Sequence, residues 1–516
     1  MVWEKRQDKV ELLVELGDPF RPTTERILEV CPQFRILVMG KTGVGKSSLI
    51  NKVFGITDAL VSHRNPGEAD IDREFTSKKN PQLVLHDSRG FEPGEDDNFQ
   101  IVRDFIKRRA GEPEIKKMLH AIWLCIQTSS LGGRVLETGI ENFLRLKENG
   151  ELGNVPIVVV FTKYDQNVTA ARMSMNRERK GSTLEEARRI ADNTLRQDFF
   201  LPFERVVGRN MPYLAVSIKP NYDDTLHDLV RITFENVKGY IADAGIVTGI
   251  SQRINAQVKI RTSIEVGKRG HWKKLTSNSR SSMTLKRFLD IIHQDVVTVW
   301  NMEDENQLLF SPQFINIMLN TMDESEGPLD KNNSTREVTI RGAVKAIAGI
   351  LSGPVGPIIL IIRLLASNWV HDSFHKTPTN LRRLMIYIVN LTIVMQNLFW
   401  IQNILAIMPR EVTVPIKRRF IKLAVNLYIK ASDRRALLNE IDLHTTGLKS
   451  YLQSVSESKH NETVNKVIDL INNSTITDRD ALAEQVGLKF NESWEREEDE
   501  PWDLPAENVY ISQRSS

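Results

Sequence analysis

Residues Phe34-Arg35-Ile36-Leu37-Val38-Met39-Gly40-Lys41-Thr42-Gly43-Val44-Gly45-Lys46-Ser47-Ser48-Leu49-Ile50-Asn51-Lys52-Val53-Phe54 decide the fold. The branched apolar run at their start reads as a buried strand, and SSLINKVF reads as an amphipathic helix. Between them, Gly40 to Ser47 fits G-x-x-x-x-G-K-[ST] directly after a strand and directly before a helix. The spacing has a physical reason. A chain of phosphates needs many donors at short range, and a backbone curls its N–H groups around it only where no Cβ intervenes. Gly40, Gly43 and Gly45 permit that curl, and the helix adds its unpaired N–H groups and positive end. Gly40, Lys41, Thr42, Gly43, Val44, Gly45, Lys46, Ser47 and Ser48 are therefore the expected phosphate-binding residues. Lys46 is expected to bridge the β- and γ-phosphates as the catalytic cation, and the Ser47 hydroxyl to ligate Mg²⁺.

Working outward, short apolar runs alternate with charged amphipathic stretches. The runs are 34–40, 82–88, 121–128, 156–163 and 213–218, and helical patterns fall near 46–54, 98–109, 134–147, 183–199 and 225–238. Near-continuous apolar strands separated by helices predict a mostly parallel α/β sheet covered on both faces, a P-loop three-layer sandwich. The stretch from Asp72 to Ser88 reads as a hairpin adding one antiparallel edge strand. After about residue 240 the strand signal fades, and an α-helical domain is expected to about 488. Four regions follow: an N-terminal extension with a short helix over 1–33, a nucleotide-binding domain over 34–240, the helical domain over 241–488, and an acidic, disordered tail over 489–516.

Three further motifs follow, the last two of which are expected to choose the base. His86-Asp87-Ser88-Arg89-Gly90 contains D-x-x-G: Asp87 is expected to hold Mg²⁺, directly or through water, and the Gly90 N–H to reach the γ-phosphate. Thr162-Lys163-Tyr164-Asp165 ends an apolar strand as T-K-x-D. Guanine presents N–H donors at N1 and N2 that one carboxylate accepts, whereas adenine presents an acceptor at N1, so Asp165 selects guanine. The stem of Lys163 covers the base. Ser217-Ile218-Lys219 closes the last strand, where a backbone N–H can meet guanine O6.

These motifs, in this order, resemble the translation-factor-class GTPases near the Era, septin and immunity-associated branches. The phrases at 86–94, 121–139 and 389–402 also resemble a group of fungal G-domain proteins. The resemblance implies GTP/GDP and Mg²⁺ as ligands and hydrolysis of GTP to GDP and phosphate. It also implies a switch or assembly role, with a G-domain homodimer as a possible partner arrangement. Two departures stand out. Thr162 replaces the family's Asn, whose amide ties this loop to the phosphate loop, so fewer ties are expected. Phe91 follows D-x-x-G where Ras-like proteins carry a water-orienting Gln, so intrinsic turnover is expected to be slow. A nucleotide-bound scaffold with negligible turnover is the alternative. Arg64, Arg73 and Arg89 are candidate arginine fingers, each of which also reads as a solvated surface residue. The window from Ile56 to Glu74 holds Thr57 and Ser62 but no threonine near its middle, so no second Mg²⁺-binding hydroxyl is assigned there.

The 516 residues carry 69 Lys+Arg against 66 Asp+Glu, a net charge of +3, which excludes a whole-chain pull toward nucleic acid. With 41% hydrophobic residues the chain is globular. Two cysteines, Cys31 and Cys125, point to a reducing compartment. The charged N-terminus lacks a signal-peptide core, so a cytoplasmic location is expected. Between 253 and 288 ten Lys/Arg face one acid, Glu265. That segment reads as a solvated face, with anionic lipid or RNA as alternatives; with one interleaved aromatic, Trp272, it gives no specific nucleic-acid signal. The uncharged run Ala346 to Ile362, within 341–366, reads as a core hairpin, a re-entrant wedge or a span, and would underlie membrane association and a remodelling role. Leu384 to Met408 carries polar stripes at Asn390 and Asn397 and at Thr392, Gln396 and Asn403, which predict a bundle-core helix bonded to its neighbours.

Overall fold

The computed structural model of the chain describes residues 21–56, 71–88, 96–128, 138–177, 183–208, 210–270, 285–323, 378–405, 414–447, 457–474, 499 and 501–502. Two compact units divide near residues 26 and 262: Ile27–Thr262, and the remainder. After α1 (Thr23–Val30), the elements of the first unit are β1 (Phe34–Met39), α2 (Lys46–Phe54), β2 (Phe75–Ser77), β3 (Asn80–Asp87), α3 (Asp96–Ala110), β4 (Ala121–Gln127) and α4 (Thr138–Glu148). Then come β5 (Ile157–Thr162), α5 (Tyr164–Arg177), α6 (Leu184–Leu195), α7 (Leu201–Val207), β6 (Tyr213–Ala215), α8 (Asp223–Tyr240), α9 (Ala242–Ser251) and α10 (Ala256–Arg269), the last of which runs past the division.

The strands lie in the order β2-β3-β1-β4-β5-β6. β2 runs antiparallel to β3, as the hairpin reading expects, and the other pairings are parallel. Alternation along β4 shows how two faces are filled. Ile122, Leu124 and Ile126 join a core with Phe105 of α3, Phe143 of α4, Val168 of α5 and Ala191 of α6. On the opposite face Trp123 stacks on Phe54 of α2 at 5.6 Å and donates its indole N–H to Thr233 of α8 at 3.0 Å. α5 is a helix that the run-and-gap reading passes over. Its 3.6-residue signal is present at Tyr164, Val168, Ala171 and Met175, all buried.

The second unit is helical: α11 (Leu285–Trp300), α12 (Pro312–Asp323), α13 (Pro378–Leu405), α14 (Arg418–Lys430), α15 (Arg434–Gly447) and α16 (Glu457–Asn473). α13 is long and apolar enough to cross a membrane, yet its apolar stretch is buried inside the unit. The stripe at Asn390 and Asn397 bonds to neighbouring helices, while Thr392 and Asn403 of the other stripe donate back to the Ile388 and Phe399 carbonyls of α13 itself. The Asn390 amide donates to Thr321 (3.1 Å) and its carbonyl accepts from the Tyr428 hydroxyl, while the Asn397 amide donates to the Ala424 carbonyl (3.2 Å). Buried amides answered this way make α13 a bundle-core helix, as its pattern predicts. Asp499, from the acidic C-terminal stretch, accepts the Arg418 backbone N–H at 2.9 Å at the basic start of α14. Of the ten cations between 253 and 288, Arg253 and Lys259 are buried, so they form no part of a surface patch.

Candidate nucleotide site

The strand ends converge on the loop between β1 and α2. Gly43 and Gly45 sit at φ +80° and +99°, in the left-handed region where a Cβ is strained, and a Cβ built on either meets nothing within 4 Å. A side chain at either position would thus enter open space. Gly40 is different: a Cβ there would stand 2.4 Å from the Cys125 carbonyl of β4, so glycine lets the loop leave β1 flush against its neighbour. Lys46, buried in the first turn of α2, folds its ammonium back over the loop, donating to the Gly40 and Lys41 carbonyls at 2.7 and 3.1 Å. Thr42 and Gly43 are exposed at the loop's crest, Val44 is buried beneath it, and Ser47 and Ser48 lie in the same helical turn as Lys46.

Asp87 ends β3, paired in register with Val38 one residue before Met39 ends β1, so it stands at the strand end from which the loop to α2 departs. A hydroxyl and a carboxylate beside an open cradle of N–H groups are hard oxygen donors, the set Mg²⁺ takes together with substrate phosphates. The residues present therefore fit that ion. His86, next in the chain, is buried and faces away from this chemistry. Its Nδ1–H donates to the Ile71 carbonyl (2.8 Å) and its Nε2 accepts from Arg35 (2.9 Å), while burial pushes its pKa down to about 4. Gly90, Phe91, Arg64, Arg89 and the segments 57–70 and 341–366 lie outside the described residues; Arg73 is exposed just before β2.

T-K-x-D and Ser217-Ile218-Lys219, the two motifs expected to bind the base, also lie at these strand ends. Thr162 Oγ donates to the Val44 carbonyl at 2.7 Å, so the Thr does tie its loop to the phosphate loop, through one hydroxyl where an Asn amide offers two N–H donors. Asp165, in the first turn of α5, accepts at Oδ1 from the Ser217 hydroxyl at 2.7 Å, and Ser217 Oγ accepts the Lys219 N–H at 3.1 Å. The third and fourth motifs, more than fifty residues apart, are thereby hydrogen-bonded. Ser217 is buried, while Ile218 and Lys219 are exposed on the rim. Two residues escape the motif reading. Gln127 and Thr128, at the end of β4, hold the T-K-x-D backbone and the Lys163 head, and a polar pair closing an otherwise apolar strand was the available signal.

With this geometry in place, residues 35–163 match the model of a family described as the 50S ribosome-binding GTPase. The chain carries a GTPase G domain. An 88-residue stretch of it is 33% identical to the Translocase of chloroplast 90, chloroplastic, of Arabidopsis thaliana, covering 17% of this chain and 10% of that relative. The chain thus spans about a tenth of that relative's length. Residues 308–484 match a second model, described as a domain of unknown function, DUF8505, which falls on the helical unit.

Proposed function

We propose that the G domain binds GTP and GDP with Mg²⁺ and hydrolyses GTP slowly to GDP and phosphate, as a nucleotide-dependent switch or assembly module. The single observation that carries this is the pair of side-chain ties at the sheet's C-terminal edge, Thr162 to Val44 and Ser217 to Asp165. They support one site in which a phosphate grip and a guanine-selecting carboxylate share a rim. In this reading the N–H groups of 40–48 take the phosphates. Lys46 turns its ammonium from the loop carbonyls toward β- and γ-oxygens, and Ser47 and Asp87 hold the metal. Bound Mg²⁺ supplies neutralisation of charge on those oxygens. Asp165 accepts guanine N1–H and N2–H, and the 217–219 loop lies along the base edge.

Slow turnover follows from Phe91, whose ring orients no water. A test is single-turnover GTP hydrolysis over a range of protein concentrations. A low rate that rises with concentration supports a dimer-completed site. A low, flat rate supports slow turnover in a single copy, and a rate at the uncatalysed level supports a scaffold instead. Calorimetry with ATP as well as GTP tests the base assignment, and equal affinities would remove it. A membrane role is a second reading, favoured by the likeness to a translocase and the uncharged run within 341–366. Co-sedimentation of the full chain with anionic vesicles tests it, and failure to pellet at low salt would exclude it.

A further inference from the structure

We propose that Gln127 is the positioning residue that presets Lys163 as the platform beneath the base. The inference rests on the guanine-nucleotide reading above. Lys163 has φ +62°, a left-handed backbone that a side chain with a Cβ rarely adopts. Such a conformation persists where surrounding contacts over-determine it. Here those contacts come from β4. The parallel register sets Gln127 against Thr162, and Gln127 Oε1 accepts the Lys163 ammonium at 2.8 Å. Thr128, one residue on, donates both its backbone N–H (3.3 Å) and its hydroxyl (3.0 Å) to the Thr162 carbonyl. The Lys163 backbone and head group are therefore fixed from the same strand end.

The chemistry explains the residue types. A free lysine stem samples many rotamers, and freezing it on binding costs affinity. An anchored ammonium holds the four methylenes in one line before the nucleotide arrives. An amide oxygen makes this anchor without cancelling the cation, so the positive charge stays available beside the purine and its sugar. A carboxylate would anchor as well, while neutralising part of that charge. Gln127 touches neither base nor phosphate in this scheme and acts through Lys163. The single hydroxyl tie of Thr162 leaves the T-K-x-D loop less braced from the phosphate side, and the β4 anchor supplies rigidity from the other side.

The test is calorimetry on the full chain with two probes, GDP and inorganic tripolyphosphate, the latter engaging the phosphate loop and not the base platform. Gln127→Leu removes the acceptor at similar volume; Gln127→Met serves if the first variant fails to fold; Gln127→Glu restores an acceptor. The expected result is GDP binding weakened about tenfold in Leu or Met, the scale of one charge-assisted hydrogen bond. Tripolyphosphate binding stays unchanged, and Glu lies within about twofold of wild type for GDP. GDP affinity unchanged in Leu and Met overturns the proposal. So does an equal loss for both probes, which marks general damage to the loop. Wild-type protein that binds tripolyphosphate but no guanine nucleotide overturns the nucleotide reading itself, and the platform with it.

Discussion

In the proposed reading, Asp165 is the residue on which base choice turns. The Ser217 hydroxyl that bonds its Oδ1 at 2.7 Å orients the carboxylate from the last strand's loop. An ionised carboxylate accepts and never donates, which matches a purine edge with two N–H groups and opposes an edge with an acceptor. Asp165→Asn replaces one acceptor oxygen by a donor NH₂. GDP should weaken by about a hundredfold, the cost of one or two charge-assisted hydrogen bonds. Xanthosine diphosphate, which carries an acceptor where guanine carries its amino group, should gain. Competitive displacement of a fluorescent nucleotide checks both shifts, and an unchanged preference would count against the assignment. The two motifs were legible at the residue scale, because T-K-x-D and the final strand each mark themselves. The hydrogen bond joining them was not, since it depends on where β5 and β6 sit side by side. The same reason hid Gln127: its partner Lys163 is thirty-six residues away in sequence, and only strand register makes them neighbours.

Among the elements, the loop between β1 and α2 separates two duties of glycine. Gly40 is a close-approach position: φ +143°, with the Cys125 carbonyl 2.4 Å from any added Cβ. Gly45 is strained at φ +99° but opens onto free space. Gly40→Ala should therefore destabilise the G domain by about 3 kcal/mol, combining backbone strain with overpacking against a backbone atom that cannot swing away. Gly45→Ala should cost about 1 kcal/mol in stability, the left-handed penalty by itself, while placing a methyl where phosphates are expected to sit. Thermal melting without nucleotide ranks the two by stability; GDP titration should find Gly45→Ala the more damaging relative to its stability loss. If Gly40→Ala melts like wild type, the close packing of loop on β4 is wrong. The elements themselves were readable where burial is two-sided, since β1, β4 and β5 are apolar apart from Arg35, Gln127 and Thr162. α5 was missed because its start is occupied by a motif that reads as a loop. Its buried residues recur at helical spacing, but charged and polar residues between them dilute the run. The core role of α13 was readable because two polar stripes on an apolar helix call for partners inside protein.

At the scale of the whole molecule, each unit buries a histidine that its neighbours hold in the neutral form. In the G domain, His120 Nδ1 accepts the Arg35 backbone N–H at 2.9 Å, and its Nε2 lies 2.9 Å from the Ile115 carbonyl. A backbone N–H donates and a carbonyl accepts, so Nδ1 is bare and Nε2 carries the proton. In the helical unit, His293 Nε2 lies 2.7 Å from the Leu309 carbonyl and Nδ1 lies 2.8 Å from the Tyr387 hydroxyl, which imposes the same tautomer. Protonating Nδ1 would set one N–H against another in the first case and strip the Tyr387 hydroxyl of its acceptor in the second. Burial is the main cause that pushes both pKa values from 6.5 down to about 4. The groups facing them bear on the shift: Arg35 near His120 lowers it further, and the carbonyls of Ile115 and Leu309 oppose it. A histidine whose folded pKa lies below its unfolded value binds fewer protons when folded. Stability is then complete above about pH 6.5 and is lost as pH falls toward about 4, because the unfolded chain takes up the protons. Each histidine contributes on the order of 3 kcal/mol across that window. Urea unfolding monitored separately in the two units, by nucleotide-site and helical-unit probes, should show both midpoints dropping between pH 6.5 and 4. His120→Gln should reduce the acid dependence of the G domain, with the buried His86 carrying the remainder, while leaving that of the helical unit in place, at a cost in stability at neutral pH. An acid dependence that persists undiminished in that variant would show that other groups carry it.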